Sequence, residues 1–209
     1  MSAAEDLSPA LPPPGFDKTR PLPGAATFGL WLLLLSLAVL FGSSLVGFFF
    51  VRASTSGGWP PAGLPPTPPL LWVATGALVL VSGAIHVALG AARAGRQGRL
   101  VLGLVLAAAL GTAFLVLQGI NWWTYQVPLA EARAREDLGG IRWLGQFYML
   151  TALHGAHVVG GLIPLWITAW RAGAGRYGPP EHMGVRLVAM YWHFLDAVWL
   201  VLFAVLLLA

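Results

Sequence analysis

Residues 187–208 read LVAMYWHFLDAVWLVLFAVLLL, and apart from His193 and Asp196 every side chain in the stretch is aliphatic, aromatic or methionine. A helix of this length, rising about 1.5 Å per residue, covers the roughly 30 Å of a bilayer's hydrocarbon core. The stretch therefore reads as a membrane span, and its histidine and aspartate, three positions apart, are the residues whose presence needs a reason.

Four further stretches upstream are long and apolar enough to cross a bilayer, at about 25–51, 70–92, 100–122 and 142–170. The composition agrees: 57% of the 209 residues are hydrophobic and 10% charged, against about a quarter charged in soluble domains. The expected fold class is all-α, a polytopic bundle of five transmembrane helices. Residues 1–24 are Pro-rich and polar without a signal-peptide pattern, so they read as a disordered tail before a membrane domain over 25–209. The segment 52–69 (RASTSGGWPPAGLPPTPP) reads as an extended connector and 124–141 as a loop. Cysteine is absent, which excludes disulfides, thiolate metal sites and cysteine nucleophiles. The net charge of +4 is explained by arginines between spans rather than by nucleic-acid binding.

With five spans, the N-terminal tail shares a side with loops 93–99 and 171–186. That side carries Lys18, Arg20, Arg93, Arg96, Arg99, Arg171, Arg176 and Arg186. The opposite side has Arg52, Arg133, Arg135 and Arg142, diluted by Glu131, Glu136 and Asp137. The positive-inside rule then puts the N-terminus in the cytoplasm and the C-terminus outside.

Polar residues inside the spans recur at helical spacing: Ser82, His86 and Gly90; Gly103, Ala107, Gly111, Gln118 and Asn121; Thr151, His154, His157 and Gly161; Arg186, Ala189, His193, Asp196 and Leu200. Small residues on such stripes allow close helix approach, and polar ones hydrogen-bond across it. Three readings of His86, His154, His157 and His193 follow. They are interhelical hydrogen-bonding partners, axial ligands to a haem clasped between different spans, or members of a proton relay in a transporter. Asp196, about 15 Å into its span, would cost about 2–3 kcal/mol unpaired, and His193 is the partner nearest in sequence. Nothing resembles a nucleophile elbow, a phosphate loop or a HExxH site.

Two segments carry a family resemblance. FYMLTALHGAHVVGGL (147–162) and AMYWHFLDAVWLVLF (189–203) resemble the hallmark segments of subunit III of the haem–copper oxidases, the cytochrome c and quinol oxidase family. FGLWLLLLSLAVLF (28–41) and ALGTAFLVLQGINWW (109–123) resemble its first span, in the five-helix bacterial form, and its ALGxxFxxxQxxEY segment. The likeness runs from about residue 25 to 208.

The resemblance implies a non-catalytic subunit of a proton-translocating terminal oxidase in a bacterial cytoplasmic membrane. Haem and copper would belong to subunits I and II, and this chain would hold no catalytic, cofactor or metal site. It would pack on subunit I and hold phospholipid in a V-shaped cleft between the first two spans and the last three. Matching positions are Gln118, His154, Gly155, His157, Arg171, His182, Tyr191, Trp192, His193, Asp196 and Trp199. Of these, Gln118, His154, His157, His193 and Asp196, with Asn121, are expected to form a buried polar network. Arg171, His182 and Arg186 are the expected lipid-headgroup contacts, since a guanidinium offers a planar fork of donors to phosphate. Three family acids are replaced, by Leu37, Asn121 and Arg186. Arg186 is expected to pair with a lipid phosphate or with Asp196. Two alternatives remain: the related accessory subunit of nitric oxide reductases, and a haem-b membrane anchor.

Overall fold

The structure is a computed structural model describing residues 24–56, 59–61, 68–179 and 181–208. The expected tail lies outside these residues except for Gly24, as do Lys18 and Arg20. Six helices make up the described chain: α1 (Ala25–Ala53), α2 (Pro69–Arg93), α3 (Gln97–Thr124), α4 (Gln126–Ala134), α5 (Leu138–Gly173) and α6 (Met183–Leu208). Five segments are long and apolar enough to span a membrane, with α4 continuing α3 past a break at Tyr125. Each expected span lies within one of them.

Local chemistry explains the boundaries. Pro69 opens α2, where a missing N–H costs nothing. Gly95 and Gly175, at φ +67° and +72°, follow the ends of α2 and α5 in the left-handed region that glycine enters freely. Asp137 caps α5, its carboxylate accepting from the Gly140 N–H at 3.1 Å. The expected loop over 124–141 is mostly helical instead. α4 was concealed by its charge and by Pro128, yet Pro128 sits in the first turn, where an N–H has no intrahelical acceptor.

Packing is built on glycine. A Cβ on Gly103 would lie 2.9 Å from the Ala88 Cβ and 3.0 Å from the Ala84 carbonyl oxygen, so α2 and α3 touch backbone to backbone. Gly111 gives way to the Trp192 ring and Leu162, and Gly161 to Tyr191.

The helices do not divide as two against three. Among the helices of the described residues, α2 packs on α3 and α6, whereas α1 packs on α5 and α6 and does not pair with α2. The expected partition of the first two spans from the last three is thus corrected. The separable element is α1, flanked by two apolar grooves. One, of about 260 Å³, includes Leu30, Leu33, Pro164 and Leu187; the other, of about 280 Å³, includes Phe41, Leu45, Phe194 and Val198.

Candidate functional site

The two segments that carry the resemblance meet along the α5/α6 seam. Tyr191 Oη donates to the His157 carbonyl at 2.9 Å, and Trp192 Nε1 to the Gly161 carbonyl at 3.2 Å. His154 lies against Trp199 with ring centroids 4.9 Å apart, and Phe114 and Phe41 complete its surroundings at 5.7 and 6.2 Å. Trp199 Nε1 in turn donates to Thr75 Oγ1 of α2 at 3.0 Å. Towards the α3/α4 junction, Trp122 Nε1 donates to Thr151 Oγ1 at 2.9 Å and Tyr148 Oη to the Trp122 carbonyl at 2.6 Å. Each donor is an aromatic side chain whose ring fills core while its polar edge finds an acceptor on a neighbouring helix.

The six residues expected as one buried network are not joined. Gln118, Asn121 and His154 are fully buried and Asp196 is 7% exposed, and their side-chain polar atoms have no hydrogen-bond partner among the described residues. His157 is half-buried, its Nδ1–H donating to the Leu153 carbonyl of its own helix at 2.7 Å. His193 is exposed. It does not pair with Asp196; its Nδ1 lies 2.5 Å from Ser82 Oγ of α2. Asp196 also lies beside the Ser82 side chain without a well-formed hydrogen bond to it. A spacing of three had suggested a direct contact, but the buried and exposed faces of α6 divide between the two residues.

At the α2/α6 edge, His86 and His193 are both exposed, with ring centroids 6.4 Å apart. The stripes that looked equivalent in sequence therefore differ. Gly103, Ala107, Gly111, Gln118 and Asn121 all face inward, whereas His86 and Gly90 face outward. Among the described residues, no three His, Cys, Asp or Glu side chains converge as a metal cage.

Arg93, Arg96, Arg99, Arg171, Arg176 and Arg186 gather at one end. Gln97 Nε2 donates to the Ala172 carbonyl, and the chain at Gly95 approaches Pro179, so the turn after α2 meets the turn after α5. Arg171 ends α5 and Arg186 lies in the first turn of α6, both exposed; His182 is half-buried between them, its Nδ1–H donating to the Pro179 carbonyl at 2.9 Å. Arg186 makes no ion pair with Asp196. Ten residues of helix put those two charges about 15 Å apart, and the sole ion pair among the described residues joins Arg135 to Glu131.

Ser82, Gln97 and the donor set of Trp122, Tyr148, Tyr191, Trp192 and Trp199 carry side-chain hydrogen bonds between spans. The available signal for them was the pairing of aromatic residues that bear a polar edge with Thr and Gly at helical spacing on other spans.

The sequence model of the family "Cytochrome c oxidase subunit III" matches residues 17–208. A cytochrome c oxidase subunit 3 of Synechocystis sp. is 30% identical over 184 residues, covering 87% of this chain and 74% of that protein. A probable cytochrome c oxidase subunit 3 of Mycobacterium tuberculosis is 30% identical over 181 residues, 84% of each chain. One from Arabidopsis thaliana is 32% identical over 182 residues, 84% of this chain and 65% of the plant protein.

Proposed function

Because this chain belongs to the cytochrome c oxidase subunit III family, we propose that it is the non-catalytic third subunit of a proton-translocating haem–copper terminal oxidase in a bacterial cytoplasmic membrane. It docks through its helices onto subunit I, in a complex whose haem and copper are held by subunits I and II. The observation that carries this reading is the family match along nearly the whole chain, with both hallmark segments bonded to each other at Tyr191–His157 and Trp192–Gly161. Those residues serve as helix fasteners, which suits a chain whose work is to be a scaffold.

The same reading assigns phospholipid to the clefts beside α1. The groove of about 260 Å³ is apolar along its length, and Leu187, one of its walls, follows Arg186 directly. An acyl chain in the groove would set its phosphate at the level of Arg186, Arg171 and His182, where guanidinium donors are strongest partners for an anion.

The test is purification of the tagged chain from its own membranes, followed by identification of the co-purifying subunits and an absorption spectrum. The expected result is an oxidase subunit I and a copper-binding subunit II, with every haem band lost when this chain is separated from them. Co-purification with a nitric oxide reductase pair would move the chain to that complex. A Soret band that stays with the isolated polypeptide would make it a haem anchor, with His86 and His193 as the ligand pair to examine.

A further inference from the structure

The lipid-facing surfaces of the spans are not alike. On α1 the exposed side chains include Phe28, Trp31, Leu35, Val39, Val46 and Phe50. The hydroxyls of Ser36 and Ser44 are returned to carbonyls of their own helix at 3.0 and 2.8 Å. A hydrocarbon neighbour suits such a surface. The α2/α6 edge exposes two imidazoles instead. His86 lies seven residues before Arg93, and His193 ten residues after Met183, so they sit about 10 and 15 Å from the basic end. At those depths lipid offers neither donors nor acceptors.

The chain does not satisfy these groups itself. His193 uses Nδ1 on Ser82, and its Nε2 has no hydrogen-bond partner among the described residues. His86 has the His193 ring as a neighbour, centroid to centroid 6.4 Å, and forms no hydrogen bond among the described residues. Asp196, one turn further along α6, adds a buried carboxyl group without a hydrogen bond. Three ionisable side chains and a serine thus share one seam. An intramembrane cluster of this kind is tolerated where it meets other protein.

We infer that the α2/α6 edge bearing Ser82, His86 and His193 is the surface on which a transmembrane helix of a partner subunit docks, bringing a hydrogen-bonding side chain to the imidazoles. The inference rests on the proposed membership of an oxidase complex, and it adds which face of the bundle is covered and by what chemistry. The α1 face is left to lipid.

The cysteine-free sequence allows a direct test. Leu200→Cys lies seven residues after His193, on the same side of α6, and keeps both imidazoles; Val39→Cys reports the α1 face. Each is labelled with benzophenone maleimide in native membranes, irradiated, and its adducts identified by mass spectrometry. The expected result is a Leu200→Cys adduct on another subunit and a Val39→Cys adduct mainly on lipid. In parallel, His193→Leu should reduce partner retention through a detergent wash about three- to tenfold while leaving the helical content of this chain unchanged. Leu200→Cys adducts confined to lipid or to a second copy of this chain would overturn the inference while leaving the oxidase reading intact. So would a His193→Leu variant that retains its partners fully. A preparation with no oxidase subunits would overturn both.

Discussion

At the scale of single residues, two kinds of side chain hold this bundle together: those that are nothing, and those that carry a ring with a polar edge. The first kind is tested by alanine. Gly161→Ala would put a methyl group 2.6 Å from a Tyr191 ring atom, and Gly103→Ala would put one 3.0 Å from a backbone oxygen. Overpacking of this sort costs about 1–3 kcal/mol, so both variants should melt at lower temperature in detergent. Gly83→Ala and Gly90→Ala meet nothing within 4 Å and should melt with the parent. The second kind is tested by Trp199→Phe, which removes the donor to Thr75 but keeps most of the ring. A double-mutant cycle with Thr75→Val should return a coupling of about 0.5–1.5 kcal/mol, the range of hydrogen bonds between membrane helices; a coupling of zero would deny the bond. The sequence marked the small-residue stripes but could not rank them. Gly90 and Gly103 look alike in a 3.6-residue pattern, and only the neighbouring helix tells which is pressed. For the same reason His193 read as buried: periodicity gives a face, while the identity of what covers that face is a long-range fact.

At the scale of elements, the spans were legible because hydrocarbon imposes both a length and a composition, and every one of the five expected segments is helical. The helix that escaped, α4, lies outside that constraint. Its residues QVPLAEARA balance charge against short apolar side chains, so neither hydropathy nor a strict period announces it. What places it is contact, with Ala132 buried and Tyr125 at its start seated against Trp143 and Phe147 at ring distances of 5.8 and 4.8 Å. The boundary that follows rests on one cap. Asp137→Ala removes the acceptor of the Gly140 N–H, and loss of such a cap costs about 0.5–2 kcal/mol. The expected signature is faster hydrogen exchange confined to the first turn of α5, with the centre of the span at Thr151–Val158 unaffected. Global loosening in this variant would mean that Asp137 does more than begin a helix.

For the whole molecule, the arrangement of spans was only partly written in the chain. The resemblance suggested two spans facing three, but helix–helix partners are chosen by where small residues allow close approach, and Gly103 commits α2 to α3 through Ala84 and Ala88. α1 makes no such glycine contact, since a Cβ on Gly29, Gly42 or Gly47 would meet nothing within 4 Å, and it stays at the rim. The turns after α2 and α5 meet, and Thr27 near the start of α1 reaches Met183 at the start of α6 with a 3.7 Å contact, so Arg93, Arg96, Arg171, Arg176 and Arg186 share one end. An anionic cytoplasmic leaflet and the insertion bias for arginine both favour that end inside. In a chain without cysteine, Arg96→Cys and Arg135→Cys each introduce a single thiol on opposite ends. A membrane-impermeant maleimide should label Arg135→Cys in intact cells and Arg96→Cys only in inverted vesicles. The reverse pattern would put the basic end outside, and the lipid phosphates proposed for Arg171, His182 and Arg186 would then belong to the other leaflet.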